Sequence, residues 1–146
     1  MIFLDANIFL RALTRSSDPD VQRMNQIAGE LLRQAERGEV EVTTSEAVIA
    51  EVAFILTAKT HYRLPVPDAA GRLAAILRLR GIKLRQKRVV LRALDLWSAH
   101  PALGFVDALT AAYAQQPGVE LATFDTDFDH LPNIIRWQPE DGGGAR

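Results

Sequence analysis

The chain contains no cysteine, which removes thiolate nucleophiles, zinc fingers and iron–sulfur clusters together and agrees with a reducing compartment. No hydrophobic run approaches the roughly 20 residues that cross a bilayer, because each is cut by a charge or a proline. The start, Met1-Ile2-Phe3-Leu4-Asp5, has neither the basic stretch nor the small-residue cleavage site of an export signal. A cytoplasmic protein without membrane attachment is expected. Among the 9 glycines there is no GxGxxG or GxxxxGK[ST], which argues against dinucleotide and P-loop phosphate sites. Charge of one sign is also lacking. Lys+Arg 17 against Asp+Glu 18 leave a net charge of −1, unusual for a domain that grips nucleic acid non-specifically.

What is present fits one ordinary domain. A length of 146 residues with 48% hydrophobic and 24% charged side chains matches a single folded unit, expected over residues 1–138, with 139–146 and its Gly142-Gly143-Gly144 run as a disordered tail. The charge is unevenly spread: between Asp68 and Asp95 there is no acidic residue, while Arg72, Arg78, Arg80, Lys83, Arg85, Lys87, Arg88 and Arg92 all fall in that window. It is read either as a solvated helix face or as a surface for an RNA backbone.

Apolar periodicity predicts helices over residues 7–14, 21–36, 44 or 45 to about 58, 68–80, 87–98 and 105–115. The 21–36 helix carries its apolar stripe on Met24, Ile27, Ala28, Leu31, Leu32 and Ala35 and is stopped by Gly38, and the 68–80 helix is closed by Gly81. Short apolar or alternating runs predict strands at 2–4, 40–43, 82–84, 119–124 and 134–137. Strands alternating with helices argue for an α/β sandwich around a mostly parallel sheet.

In an open parallel sheet, functional residues gather just past the carboxyl ends of the strands. Asp5 follows the first strand and Asp125 the fourth; each would also serve as an ordinary cap. Glu51 shares a helix face with Val48, Val52 and Ile55, where a carboxylate is costly unless paired or metal-bound. Glu46 lies about 140° around the same helix, and Thr43-Thr44-Ser45-Glu46 has capping-box spacing, so Glu46 is assigned to capping. Asp107 stands in the first turn of its helix, where it also complements the helix dipole. Asp125-Thr126-Asp127-Phe128-Asp129 begins like a calcium loop, but His130 replaces the required Gly and Arg136 the closing Glu. His61, His100 and His130 all adjoin breaks or prolines and are read as surface residues. Trp97 and Trp137 are read as core or dimer contacts.

Taken in order, Phe3-Leu4-Asp5-Ala6-Asn7, Ala50-Glu51-Val52, Phe105-Val106-Asp107-Ala108-Leu109 and Thr123-Phe124-Asp125-Thr126-Asp127-Phe128 resemble the PIN domain, especially toxins of the VapC type, from Met1 to about Gln138. The resemblance implies a three-layer α/β/α sandwich on a five-stranded sheet of order 3-2-1-4-5. It further implies Mg²⁺- or Mn²⁺-dependent cleavage of RNA, homodimerisation, and neutralisation by a cognate antitoxin. Residue by residue it gives Asp5, Glu51, Asp107 and Asp125 as the acidic core, Asn7 as a polar helper and Asp127 as a further ligand.

Oxygen-only donors suit hard cations such as Mg²⁺. Carboxylates that close together repel by about 4 kcal/mol per close pair at an effective dielectric near 20, so such a cluster calls for a cation or a proton. Asp5, Asp107 and Asp125 are the expected metal ligands, with Glu51 and Asp127 as further candidates; Glu51 would orient the attacking water and Asn7 a carboxylate or the scissile phosphate. Two rivals stand beside this reading. An aspartyl-phosphate phosphatase wants an acid two positions after its first Asp, where this chain has Asn7. A non-catalytic RNA- or protein-binding module on the same fold would be expected to have lost at least one of the four acids.

Overall fold

The computed structural model describes residues 1–140, and the six periodic segments are α-helices in it: α1 (Ala6–Leu13), α2 (Pro19–Glu36), α3 (Glu46–Thr57), α4 (Val66–Leu77), α5 (Lys87–Ala99) and α6 (Phe105–Ala114). Their ends follow from local chemistry. Asp18 accepts the Asp20 amide at 2.9 Å with Pro19 at the first helical position of α2, and Ser45 accepts the Val48 amide at 3.2 Å at the start of α3. Past α2, Gly38 takes a left-handed φ of 73°, which glycine adopts without a Cβ penalty. Pro67 sits in the first turn of α4, where its missing amide costs no helix bond.

The apolar faces of these helices enclose one core, a cluster of buried residues running from Leu4 to Leu131. Helix α1 packs on α2 and α3, α3 also on α4 and α6, and α5 lies between α4 and α6. Phe9, Ile49, Leu56, Leu73 and Leu94 are wholly or almost wholly buried, each contributing about 1.5–3 kcal/mol from burial. Trp97 is a core residue, meeting Phe105 edge to face with ring centres 5.6 Å apart. The stripe expected on α2 is shorter than the periodicity suggests: Ala28, Leu32 and Ala35 are buried, whereas Met24 and Ile27 are exposed because the first half of the helix overhangs the core.

The strands are β1 (Ile2–Phe3), β2 (Val42–Thr43), β3 (Glu120–Leu121) and β4 (Ile135–Arg136). β1 and β2 pair in parallel, Ile2 opposite Val42, and Val42 makes a further parallel bridge to Ile82. β3 and β4 form a separate parallel pair, Glu120 opposite Ile135. The expected five-stranded sheet is therefore not what is observed. Counting the 82–84 run as third in chain order, the halves 3-2-1 and 4-5 are both present and both parallel, but no backbone ladder joins β1 to β3. Side chains take carbonyls at the ends of both ladders, and Pro139 has no amide with which to continue β4. The Thr43 hydroxyl donates to the Lys83 carbonyl, and the Arg136 guanidinium to the Thr123 carbonyl at 2.6 Å. Of the tail at 139–146, Pro139 and Glu140 are exposed and 141–146 lie outside the described residues.

Gly81 has a different task from the helix closure expected of it. Helix α4 has already ended at Leu77, with Arg78 as its cap. Gly81 is buried between α2 and β2, its amide donating to the Ala35 carbonyl at 2.8 Å and its carbonyl accepting from the Val42 amide at 2.8 Å. A Cβ there would stand 2.4 Å from the Val40 carbonyl oxygen and 2.6 Å from that of Ala35. Both are backbone atoms and cannot swing aside. Gly81→Ala should lower unfolding stability by about 1–3 kcal/mol or more, as overpacking does. A denaturant midpoint equal to that of the parent would show that the two chains tolerate separation at this point.

Candidate active site

Parallel pairing sends the chain out of each strand at the same edge. Asp5 follows β1 and caps α1, its carboxylate accepting the Ala6 amide at 2.8 Å. Asn7 is exposed in the first turn of that helix. At the carboxyl end of the other half-sheet, Asp125 caps a short 3-10 helix, η1 (Thr126–His130), by accepting the Asp127 amide at 2.8 Å. The segment that begins like a calcium loop is thus a capped turn, with Asp127 and Asp129 exposed in it.

Arg136 holds this turn, a part that reading the chain left unassigned. Its guanidinium donates to the Thr123 carbonyl at 2.6 Å, to the Asp125 carbonyl at 2.8 Å and to an Asp129 carboxylate oxygen at 2.6 Å. The Asp125 amide donates in turn to the Thr123 hydroxyl at 3.0 Å. The signal was present as an arginine in a strand just after an acid-rich turn, but which acceptors it would reach depends on β4 lying beside β3.

Asp107 is half-buried in the first turn of α6 and borders a cavity of about 430 Å³ between α3 and the α5–α6 loop. Ala50, Phe54, Trp97, Phe105 and Val106 supply most of its apolar wall, and Phe54 and Val106 are 69% and 61% exposed. Glu51 lies on α3 between Ala50 and Phe54, and it is exposed. Its apolar neighbours do not bury it: Val52 is buried and Val48 and Ile55 half-buried, while Glu51 itself is exposed. Glu46 is also not the capping partner that its spacing suggests. Ser45 is the cap, Glu46 is the first residue of α3, and its carboxylate accepts the hydroxyl of Tyr113 on α6. His61, His100 and His130 are all exposed.

Asp5, Asp107, Asp125 and Glu51 are all carboxylates, a donor set that fits Mg²⁺ or Mn²⁺. Among the described residues, however, no three acidic or imidazole side chains come close enough together to hold a metal ion. Asp5 and Asp125 belong to half-sheets that do not pair with each other, and Asp107 and Glu51 enter from two different helices.

The Tyr113–Glu46 contact titrates. Hydrogen bonding to Glu46, then burial and the carboxylate's charge, push the Tyr113 hydroxyl up to about 12. A pKa raised in the folded state means that the contact stabilises fully below the unfolded value of about 10 and that its contribution fades as pH rises through about 12. In a Tyr62→Phe background, where Tyr113 is the remaining tyrosine, ultraviolet titration should place Tyr113 well above 10, and Glu46→Gln should bring it down. A midpoint near 10 in both proteins would mean that the two side chains do not meet in solution.

The protein-family model for the PIN domain matches residues 2–134. A comparison with curated proteins gave no significant match. PIN domains are generally nucleases, often metal-dependent, and the match runs from β1 through all six helices and the Asp125 turn. The chain belongs to the PIN domain family.

Proposed function

We propose that this chain is a Mg²⁺- or Mn²⁺-dependent endoribonuclease, the toxin of a type II toxin–antitoxin pair, acting in the cytoplasm as a homodimer. The observation that carries the reading is the placement of Asp5 and Asp125. In a PIN-family chain, each lies just beyond a parallel strand, Asp5 two residues after β1 and Asp125 four after β3, and each caps the next helical turn. In this proposal the half-sheets join with β1 beside β3, giving the order 3-2-1-4-5 and bringing the two carboxylates to adjacent strand ends. The observed partial orders support it, as does the open flank of β1, where Phe3 is 58% exposed.

Asp5, Asp107 and Asp125 would then hold the cation, with Asp127 as a further ligand one turn on. Such a cation, when bound, lowers the pKa of water and offsets charge on the phosphoryl oxygens. Glu51, exposed beside the Asp107 cavity, orients the attacking water and takes its proton. Asn7, next to Asp5 on the first turn of α1, donates its side-chain amide to a ligand carboxylate or to the scissile phosphate. The products are a 5′-phosphate and a 3′-hydroxyl. A cognate antitoxin would cover this edge with an Arg or Lys that pairs with the same carboxylates.

Purified chain should cleave RNA in Mg²⁺ or Mn²⁺ and stop with chelator. Asp107→Asn should cut the rate by about a hundredfold or more, in line with the several kcal/mol that metal-assisted charge stabilisation supplies. Glu51→Gln should nearly abolish cleavage, whereas Glu46→Gln should cost mainly its bond to Tyr113, about 1.5–3 kcal/mol or less of stability. Metal should also raise the melting temperature of the parent, because a ligand of the folded state alone adds about 2.7 kcal/mol at a hundred times its Kd. Undiminished cleavage in excess EDTA would end the metal reading. An active Glu51→Gln beside an inactive Glu46→Gln would exchange their roles.

A further inference from the structure

The basic window of the sequence divides once its side chains are placed. Arg72 is committed to Asp68 at 3.0 Å and to the Leu13 carbonyl at 2.8 Å, and Arg92 to the Gln115 side chain at 3.0 Å. Arg80, Lys83, Arg85 and Lys87 instead line a single open groove of about 470 Å³, with Ile82 and Leu84 as its apolar part. No ion pair among the described residues involves any of these four. Lys87 is half-buried there. Its ammonium donates to the Ile82 carbonyl at 3.0 Å, and burial, together with the charge of Lys83, holds its pKa below the usual lysine range. Lys87 and Arg88 also occupy the first turn of α5, with no acidic residue and no side-chain cap, where the helix dipole disfavours cations. Like charges are thus gathered without a counter-charge, an arrangement that an anion would stabilise.

The groove lies where a nuclease could use it. Ile82, Val42 and Ile2 are in parallel register, so Lys83, Arg85 and Lys87 leave their segment at the same edge as Asp5 and Asn7, with β2 between. At about 4.8 Å per strand the two exits stand about 10 Å apart, some three nucleotides of a stacked strand at 3.4 Å each. The cations stand on open side chains along an edge and do not close around a cage, which suits a chain of phosphates better than one small anion.

We propose that Arg80, Lys83, Arg85 and Lys87 form a phosphate-holding groove that grips the backbone of single-stranded RNA about three nucleotides from the bond cleaved at the Asp5 edge. The inference rests on the ribonuclease reading of that edge. It adds a second contact region, one that sets affinity and length preference and leaves the chemistry to the carboxylates.

The test uses the full chain and a labelled 12-nucleotide single-stranded RNA, with binding followed by anisotropy across a KCl series in EDTA. Lys83→Ala/Arg85→Ala should weaken binding and flatten the log–log salt slope by about 1.4, or about 0.7 for each single-strand phosphate that is no longer neutralised. Arg33→Ala/Arg37→Ala removes the same charge from α2, where both guanidinium groups are already paired with Glu30 or Glu39, and should leave the slope at the parent value. In Mg²⁺ the parent should prefer the 12-mer to a trinucleotide in kcat/KM, and the groove variant should lose about fivefold or more of that preference. A parent that cleaves RNA beside a groove variant of unchanged slope and length preference would overturn the groove alone. A flattened slope with no cleavage by either protein would overturn the ribonuclease reading alone. Equal flattening by the α2 control would reduce the effect to net charge. A polyglutamate peptide that displaces the RNA at lower concentration than unlabelled RNA does would reassign the groove to an acidic protein segment.

Discussion

The amides of Ile2 and Leu4 donate to the carbonyls of Glu41 and Thr43, and the amide of Lys83 donates to that of Val42. These few bonds run three chain segments in the same direction, and that direction brings their carboxyl ends to one edge. Parallel strands cannot be joined by tight hairpins; each return needs a crossover of a dozen or more residues. Helices α1 and α2 make the first crossover and α3 and α4 the second, and their inward faces form the core. Asp5, the Thr44–Glu46 segment and the Lys83–Lys87 segment consequently share an edge although they lie far apart in sequence.

The acids of the proposed site also have local structural tasks. Asp5 caps α1, Asp125 caps the turn after β3, and Asp107 sits where the dipole of α6 favours a negative charge. Such caps and dipole contacts are each worth about 0.5–2 kcal/mol. Under the proposed function, removing one of these carboxylates disturbs fold and chemistry together, which makes the choice of replacement matter. Asparagine caps a helix about as well as aspartate but carries no charge. An Asp→Asn change at position 5 or 125 keeps the turn and removes the charge, whereas alanine removes both.

The helices were legible because their signal is local: a 3.6-residue apolar period closed by Gly, Pro or a capping residue within the same segment. The strands were legible as apolar runs, but their pairing was not, since a two-residue ladder depends on segments far apart in sequence, as the bonds of Thr43 to Lys83 and of Arg136 to Thr123 also do. The same division runs through the site. Asp5, Asp107 and Asp125 could be placed at strand or helix ends from their own neighbours. Glu46 could not: Thr43-Thr44-Ser45-Glu46 fits a capping box, yet Ser45 is the cap and the Glu46 carboxylate crosses to Tyr113, 67 positions away in sequence. Glu51 has apolar neighbours on its helix face without being buried, because a stripe in sequence shows which way a face points and not how far the core reaches. Gly81 looked like a helix stop and is instead a point of backbone contact between elements brought together by the fold.

The balance of charge on the whole chain is a poor guide to what this edge would attract. Arg33 and Arg37 are spent on Glu30 and Glu39 along α2, and Arg72 on Asp68, exposed pairs that contribute little stability. They do cancel charge along α2 and α4. The cations left without acidic partners at Arg80, Lys83, Arg85 and Lys87 then dominate the field around their own groove. At physiological ionic strength the Debye length is about 8 Å, shorter than the separation of about 10 Å between that groove and the exit of Asp5 across two strand spacings. On the proposed reading, a phosphate in the groove would respond to the four cations around it, and a cation at the aspartates to the carboxylates around it, with limited interference between them. A net charge of −1 is thus compatible with both proposed surfaces.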